Sequence, residues 1–196
     1  GETAAVSGLP AGAKATVTQT GDHGGACWSV NHETDAGDIA SGQITELGFV
    51  NTYKLDPTTL AAGSIKGSKT LTGRDWQQGE LFTFQIAADG ANPDAPMPNL
   101  ATVTVTNPNT GEYKDGQTIP FEFGAIEYRA PGTYQYVVTE QTGSKPGLQY
   151  SGAQYIVTVT VRDNNNGTMT ATAVLTNTCN DNKEHIDDKP ADSADF

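Results

Sequence analysis

The sequence predicts an all-β protein built from antiparallel β-sandwich modules in tandem, the first of them incomplete. Apolar and polar residues alternate with a period of two in many short segments, which is typical of half-buried strands. Turn residues separate these segments, in a chain with 22 Gly and 10 Pro. Strands of this length and spacing favour sandwiches over helical or mixed folds.

The alternating segments appear in order along the chain. We predict strands at 14–18, 42–47, 81–86, 101–106, 133–139, 155–162 and 168–175. Turn signals lie at 109–111, 130–132, 145–147 and 166–167. Asn166-Gly167 predicts a hairpin with a type I′ turn, because both residue types tolerate positive φ. The stretch 74–80 allows one helical turn at most.

Three segments follow from this pattern. Residues 1–54 are short for an independent sandwich, and 55–64 lack alternation and contain Pro and Gly, as a linker does. Residues 65–196 are long enough for a sandwich of their own. The polar, acidic stretch 180–195 indicates a loop or mobile end. Because the chain opens inside a strand-like pattern, we expect a segment of a longer protein.

Composition excludes several classes of function. The formal net charge of −12 argues against binding to nucleic acid or to anionic membranes. The sequence lacks an apolar run of the roughly 20 residues that span a bilayer. Two cysteines, Cys27 and Cys179, do not make a disulfide scaffold, and both a single bridge and two separate thiols are compatible with the sequence.

A family resemblance rests on motifs in residues 65–196. The sequence SKTLTGR at 68–74, GELFTF at 79–84 and GTYQYVVTE at 132–140 stand in order, with further matches at 120–128, 148–163 and 169–175. Together they resemble the pilin isopeptide-linkage domain of Gram-positive major pilins. The resemblance implies a covalent bond between Lys69 on the opening strand and an Asn on the closing strand, promoted by Glu140.

The sequence offers more than one position for the Asn that would bond to Lys69. The family's closing strand reads roughly F-x-N-x-Y, and Ala194-Asp195-Phe196 is similar to its beginning, which places the Asn beyond Phe196 and leaves the domain without its full last strand. Asn177 is a minor candidate. Lys66 is a rival amine, but its odd spacing from Lys69 puts the two on opposite faces of a regular strand.

Residues 1–54 resemble the C-terminal half of a collagen-adhesin-B-type (CnaB-like), Ig-like module. The sequence GETAAVSGLPAG at 1–12 and FVNTY at 49–53 carry this similarity, and Asn51 corresponds to the closing-strand Asn. The family's Lys-bearing strand has no counterpart, and Gln19 stands where the family has a catalytic Glu. Because Gln cannot supply a proton, a bond at Asn51 is not expected.

The chemistry needs an amine, a carboxamide and a proton donor held in place. Burial disfavours the charged form of a lysine, which is otherwise protonated at its ordinary pKa of about 10.4, and so frees a nucleophilic lone pair. The same burial keeps a glutamic acid protonated, so that it can polarise the carboxamide and relay a proton to departing ammonia. No metal or cofactor is needed, and the reaction is a single self-crosslinking event rather than enzymatic turnover.

Other candidate sites are weaker. His23, His32 and His185 lie in polar loops without metal-ligand spacing. The stretch 163–167 does not match a calcium-binding EF-hand loop and favours a hairpin turn. Trp28 and Trp76 suit packing better than stacking on sugars.

The function that follows is a stalk segment of a secreted, cell wall-anchored Gram-positive surface pilin or adhesin, whose partners are other pilin or adhesin subunits and domains. An alternative is a ligand-binding adhesin module that recognises a host matrix protein or glycan through loops such as 88–99. A third possibility is that the open edge accepts a strand from another chain, including a neighbour's residues 49–53.

Overall fold

A computed structural model describes residues 3–20, 27–107 and 112–196 of the protein. These residues form fifteen β-strands and no helix, so the predicted all-β class is confirmed. Within the same residues, no helix is long and apolar enough to cross a membrane. The chain divides into two compact units, one made of 1–55 and 165–167 and the other of 56–164 and 168–196.

The first unit consists of two antiparallel strand pairs. β1 (Lys14–Thr18) pairs with β3 (Thr34–Asp38), and β2 (Trp28–Val30) pairs with β4 (Asn51–Tyr53). The strand predicted at 42–47 is wrong: this stretch is irregular, with Thr45 held to the Asp38 carbonyl through its hydroxyl and Ile44 89% exposed. None of the residues described in 3–20 and 27–55 is buried.

The second unit contains eleven strands among its described residues. They are β5 (Thr58–Leu60), β6 (Lys66–Thr70), β7 (Leu81–Ala88), β8 (Thr102–Thr106), β9 (Thr118–Glu122), β10 (Ile126–Tyr128), β11 (Gly132–Glu140), β12 (Gln154–Asp163), β13 (Met169–Cys179), β14 (His185–Ala191) and β15 (Ala194–Asp195). An antiparallel six-stranded sheet has the order β14-β13-β12-β11-β7-β8. A three-stranded sheet has the order β15-β6-β9, and β5 pairs with β10.

The two larger sheets face each other across an aromatic core, as the predicted Ig-like sandwich requires. Phe84 on β7 stacks on Phe121 of β9 with ring centroids 4.0 Å apart. The period-two pattern explains this packing, since alternate residues of β7 (Phe82, Phe84 and Ile86) are all buried. Trp76 is also fully buried and packs edge-on against Phe82, which confirms its packing role.

At two places the described strands differ from the expected segments. The expected linker 55–64 contains β5, whose Leu60 is buried and opposite Ile126 of β10, so the second unit begins earlier than predicted. The stretch 180–195, expected to be a loop or mobile end, contains β14, the edge strand beside β13. Asn180 makes this hairpin possible, because its side-chain oxygen accepts bonds from the amides of Asn182 and Glu184. The polar residues of β14 are those of a protected sheet edge.

The predicted hairpin between β12 and β13 is confirmed, but its turn differs from the expectation. Residues 164–168 connect the two strands, and the positive φ angles fall on Asn165 and Gly167 rather than on Asn166 and Gly167. The longer loop therefore replaces a two-residue type I′ turn. The turn predicted at 109–111 lies outside the described residues.

Candidate functional site

Lys69 and Glu140 form a buried pair that joins the two sheets. Lys69 Nζ donates a hydrogen bond to Glu140 Oε2 at 3.0 Å, and the two side chains are 4% and 0% exposed. Lys69 points inward because β6 alternates, with Gly67 and Lys69 buried and Lys66 exposed. Glu140 ends β11 of the facing sheet. The structure therefore brings together the two residues that the motifs pointed to, 71 positions apart in the chain.

Aromatic rings form an apolar wall beside Lys69. Lys69 Nζ lies 4.6 Å from the centroid of the Phe82 ring, and Phe82 in turn contacts Trp76 and Tyr150. This apolar wall limits the water that reaches the pair, so each group loses hydration that its hydrogen-bond partners replace only in part.

The electrostatics of Glu140 follow from this setting. Burial raises the pKa of Glu140, whereas the nearby Lys69 charge, the Lys69 hydrogen bond and the Ser151 amide act to lower it. Burial prevails, because an uncharged carboxylic acid loses less on leaving water than a carboxylate does. The two oxygens of Glu140 differ: Oε2 accepts bonds from Lys69 Nζ and from the Ser151 amide at 2.6 Å, while the buried Oε1 has no hydrogen-bond partner.

Sequence reasoning missed Ser151 and Asp181. The Ser151 hydroxyl hydrogen-bonds to Asp181 Oδ1, and the Ser151 amide donates to Glu140. Ser151 lies in the irregular stretch before β12, and Asp181 lies in the turn before β14. The only sequence signal was the Asn-Asp-Asn turn pattern at 180–182, which does not reveal that this turn packs beside Glu140.

A cleft of about 650 Å³ opens beside the pair. Its walls are residues 69–74 and 147–151, with Asp181 and Phe196 completing the lining. The cleft therefore continues the line of β15 along the outer edge of β6.

A buried carboxylate holds one wall of this cleft. Arg74 donates to both oxygens of Glu80, at 3.0 and 2.6 Å, and Lys145 Nζ donates to Oε1 at 2.7 Å. The amide of Gln77 adds a bond of 2.6 Å to Oε2. The Arg74 hydrogen bonds, with help from Lys145 and Gln77, lower the pKa of Glu80 from 4.5 to about 2, although burial alone would raise it.

Strand β15 runs parallel to β6, with Ala194 opposite Gly67 and Asp195 opposite Ser68. The pairing extends to Phe196, whose amide donates to the Ser68 carbonyl and whose carbonyl accepts from the Thr70 amide. Ala194 and Phe196 are buried, and Asp195 between them is exposed. Residues 194–196, where the closing strand was expected to begin, therefore form a strand beside β6. Every second residue of this strand, Ala194 and Phe196, faces the core.

Asn177 lies two strands away from the strand that carries Glu140. It lies on β13 opposite Tyr155 of β12, and β12 separates β13 from the β11 strand that carries Glu140. Two strand spacings amount to about 10 Å across the sheet. The Asn177 side-chain oxygen is buried without a hydrogen-bond partner.

In the first unit, Gln19 and Asn51 are in direct contact. Gln19 Nε2 donates to Asn51 Oδ1 at 3.1 Å, while Gln19 Oε1 is buried without a partner. Gln19 thus occupies the position of an acid beside the Asn51 carboxamide. Its own amide group can donate a hydrogen bond but has no acidic proton to transfer.

The remaining candidates stay apart from this chemistry. His32 lies 3.8 Å from Asp35, His185 is exposed at the start of β14, and His23 lies outside the described residues. Within the described part of the chain, no group of three or more His, Cys, Asp or Glu side chains could hold a metal ion. Trp28 is 39% exposed and packs on Tyr53. Cys27 and Cys179 are not joined by a disulfide bond.

Comparison with known proteins supports this description of the second unit. The family model FctA, described as "Spy0128-like isopeptide containing domain", matches residues 65–188, which is more than half of the chain. This match confirms the resemblance indicated by the motifs. A search of curated proteins finds no match.

Proposed function

We propose that this chain, which belongs to the family of Spy0128-like isopeptide containing pilin domains, is a stalk segment of a Gram-positive surface pilin or adhesin that is tied by a Lys–Asn isopeptide bond. Lys69 supplies the amine, and Glu140 promotes the reaction. The observation that carries the proposal is the buried contact of 3.0 Å between Lys69 Nζ and Glu140 Oε2.

The pair can generate its own nucleophile. Transfer of one proton from Lys69 Nζ to Glu140 converts an ion pair into a neutral amine and a neutral acid. Burial raises the pKa of Glu140 and so favours the acid form of its carboxyl group. Oε2 accepts bonds from Lys69 Nζ and the Ser151 amide, so the acid carries its proton on Oε1, which has no partner. Oε1–H can then donate a hydrogen bond to an incoming carboxamide carbonyl.

The bond then forms by acyl transfer. The neutral Lys69 amine attacks the carboxamide carbon while the acid form of Glu140 gives its proton to the carbonyl oxygen, and the resulting carboxylate takes a proton from the new C–N bond. Glu140 then gives that proton to the departing nitrogen, which leaves as one molecule of ammonia. It recovers a proton from the carbonyl oxygen as the carbonyl re-forms, so Glu140 ends as the neutral acid. The fold supplies proximity, which for well-oriented groups is equivalent to effective concentrations of about 10⁵–10⁸ M.

The carboxamide comes, in this proposal, from the strand that continues β15 beside β6. Ala194 and Phe196 face inward, so the next inward position is the second residue after Phe196. The cleft along 69–74 offers room for that continuation. Asn177 is about two strand spacings from β11, which makes it a poor donor.

The crosslink suits a load-bearing role. It joins β6 to the strand that continues β15, which are neighbours in the three-stranded sheet and come first and last in the domain's sequence. Tension on the chain therefore cannot separate these two strands. The proposed partners are other pilin or adhesin subunits, and the proposed location is the outer face of a Gram-positive cell wall. The proposed chemistry is one self-crosslinking event per chain, without cofactor or turnover.

Intact-mass measurement tests this proposal. A chain lengthened past Phe196 by a designed strand, with Asn as its second added residue, is expected to lose the mass of one ammonia. The same chain carrying Glu140→Gln or Lys69→Arg is expected to keep its full mass, whereas the matched Lys66→Arg control is expected to lose ammonia as the parent does. Ammonia loss that persists in Lys69→Arg refutes the assignment of the amine.

A gel under denaturing conditions separates the two possible geometries. A bond within one chain leaves a monomer band, whereas a strand donated by a neighbour gives covalent multimers. Loss of ammonia by the chain that ends at Phe196, without multimers, identifies an internal donor such as Asn177 and contradicts the proposed donor.

A further inference from the structure

Ser151 connects Glu140 to Asp181 by hydrogen bonds. The Ser151 amide donates to Glu140 Oε2 at 2.6 Å, and the Ser151 hydroxyl bonds to Asp181 Oδ1. The Ser151 hydroxyl oxygen also accepts a bond from the Ala153 amide at 3.1 Å. Ser151 itself is buried, with 9% of its surface exposed. A continuous chain of contacts thus runs from an exposed carboxylate to the buried pair.

The backbone around Ser151 is held against the turn that carries Asp181. The Gly152 amide donates to the Asp181 carbonyl at 2.7 Å. A side chain at residue 152 would meet that carbonyl oxygen at 2.8 Å and the Lys183 amide nitrogen at 2.8 Å, so only Gly fits this approach. The segment 151–153 is therefore fixed to the 180–184 turn through both backbone and side chain.

This arrangement orients the carboxyl group of Glu140. Two donors, Lys69 Nζ and the Ser151 amide, engage Oε2, which leaves Oε1 as the oxygen without a partner. A carboxyl group free to rotate would exchange its oxygens between these roles. We propose that Asp181, acting through Ser151, is a positioning residue that holds Glu140 with Oε1 facing the incoming carboxamide.

This inference rests on the proposed function, which it deepens by adding two residues to which the resemblance assigned no role. The charged groups that act on Glu140 are Lys69, from β6, and Asp181, from the turn before β14. Lys69 lowers the pKa of Glu140 and Asp181 raises it. Because Asp181 is exposed, water and salt screen its charge, so the hydrogen-bonded route through Ser151 is the stronger of its two effects.

The variants that test the inference separate hydrogen bonding from charge. Asp181→Ala removes the acceptor, and Asp181→Asn keeps an acceptor but removes the charge. Ser151→Ala removes the hydroxyl while keeping the amide that reaches Glu140. Asp187→Ala, at an exposed position of the neighbouring strand β14, is the matched control for the loss of one negative charge.

The first measurement is hydrogen exchange of the Ser151 amide in the 196-residue chain, which requires no crosslink. Asp181→Ala and Ser151→Ala are expected to accelerate that exchange about tenfold. Asp181→Asn is expected to remain within about threefold of the parent, as is Asp187→Ala. Equal exchange in Asp181→Ala and Asp187→Ala overturns the proposal.

The second measurement is the crosslinking rate in the lengthened chain. Asp181→Ala and Ser151→Ala are each expected to slow ammonia loss roughly five- to tenfold, and the double variant no further than the slower single one. Asp181→Asn is expected to restore the rate to within about threefold. An Asp181→Asn chain as slow as Asp181→Ala refutes positioning by hydrogen bond. If no lengthened chain loses ammonia, yet the Ser151 exchange responds as described, the proposed function fails while the link from Asp181 to Glu140 stands.

Discussion

Substitution of Glu80 by Gln tests how much the buried ion network at the cleft contributes to stability. Glu80 is 1% exposed at its side chain and bonds to Arg74 and Lys145, which are 34% and 40% exposed. Lowering a pKa from 4.5 to about 2 corresponds to roughly 3 kcal/mol, at about 1.36 kcal/mol per pKa unit. Because both partners are partly solvated, screening reduces the expected loss in Glu80→Gln to about 2 kcal/mol.

The pH dependence of this loss has a definite sign. The folded-state pKa of Glu80 lies below the unfolded value, so its contribution is fully present above about pH 4.5 and disappears as the pH falls towards 2. The free energy of unfolding of Glu80→Gln is therefore expected to lie about 2 kcal/mol below that of the parent at pH 7. The two values are expected to converge near pH 2.

Urea denaturation followed by Trp76 fluorescence measures this difference. A Trp28→Phe background makes Trp76 the sole tryptophan, so the signal reports on the second unit. Glu127→Gln is the matched control, because Glu127 also pairs with an arginine, Arg129, but on the surface with 51% of its side chain exposed. That control is expected to change stability by less than about 0.5 kcal/mol. A Glu80→Gln loss that is equally small at pH 7, or that does not shrink at low pH, refutes the reasoning.

Three further predictions concern the crosslink site. In the unlinked chain, Glu140→Gln buries Lys69 beside an amide that can neither balance its charge nor take its proton, and is expected to cost about 3–5 kcal/mol in urea denaturation; stability equal to the parent shows that the Lys69–Glu140 contact does not contribute to folding. Gly67→Ala is expected to push β15 off β6, since its Cβ would collide with the Ala194 carbonyl, at a cost of about 1–3 kcal/mol and with faster exchange of the Phe196 amide; unchanged exchange there rules this out. Tyr155→Phe removes the hydroxyl that donates to the Asp195 carbonyl at 2.7 Å and is expected to lower stability by about 1 kcal/mol, whereas a neutral result shows that β15 does not depend on this bond.

Most of the strand predictions rested on the local alternation of apolar and polar residues. Where apolar residues alternate over five or more positions, as in β7, β11, β12 and β13, the predicted strands agree with the structure to within a few residues. Alternation works there because each strand buries one face against the sandwich core. Short strands without that signal were missed: β5 and β14 are polar or interrupted by Pro, and their pairing depends on a neighbour distant in the chain or on a side-chain-capped turn.

For the Lys69–Glu140 pair too, the sequence predicted some features and the structure was needed for others. The motifs around each residue named both side chains, and the period of a strand put Lys66 and Lys69 on opposite faces. The structure shows that Lys69 is the one that points inward. The contact that gives the pair its chemistry needs two sheets to face each other, and no local pattern describes that. The distinct roles of the two Glu140 oxygens depend on Ser151, which lies in an irregular stretch where the resemblance assigned no role to any side chain.

The sequence by itself determined the all-β class, the alternating faces of the long strands and the identity of the proposed reactive lysine and its acid. Only the tertiary structure decided that β15 runs parallel beside β6, that a cleft continues its line, and that Asp181 reaches Glu140 through Ser151. The physical reason is the distance along the chain over which each feature is determined. A strand's inward face is set by the residue-to-residue geometry of the chain, whereas the neighbours of a buried charge are set by packing between segments far apart in sequence.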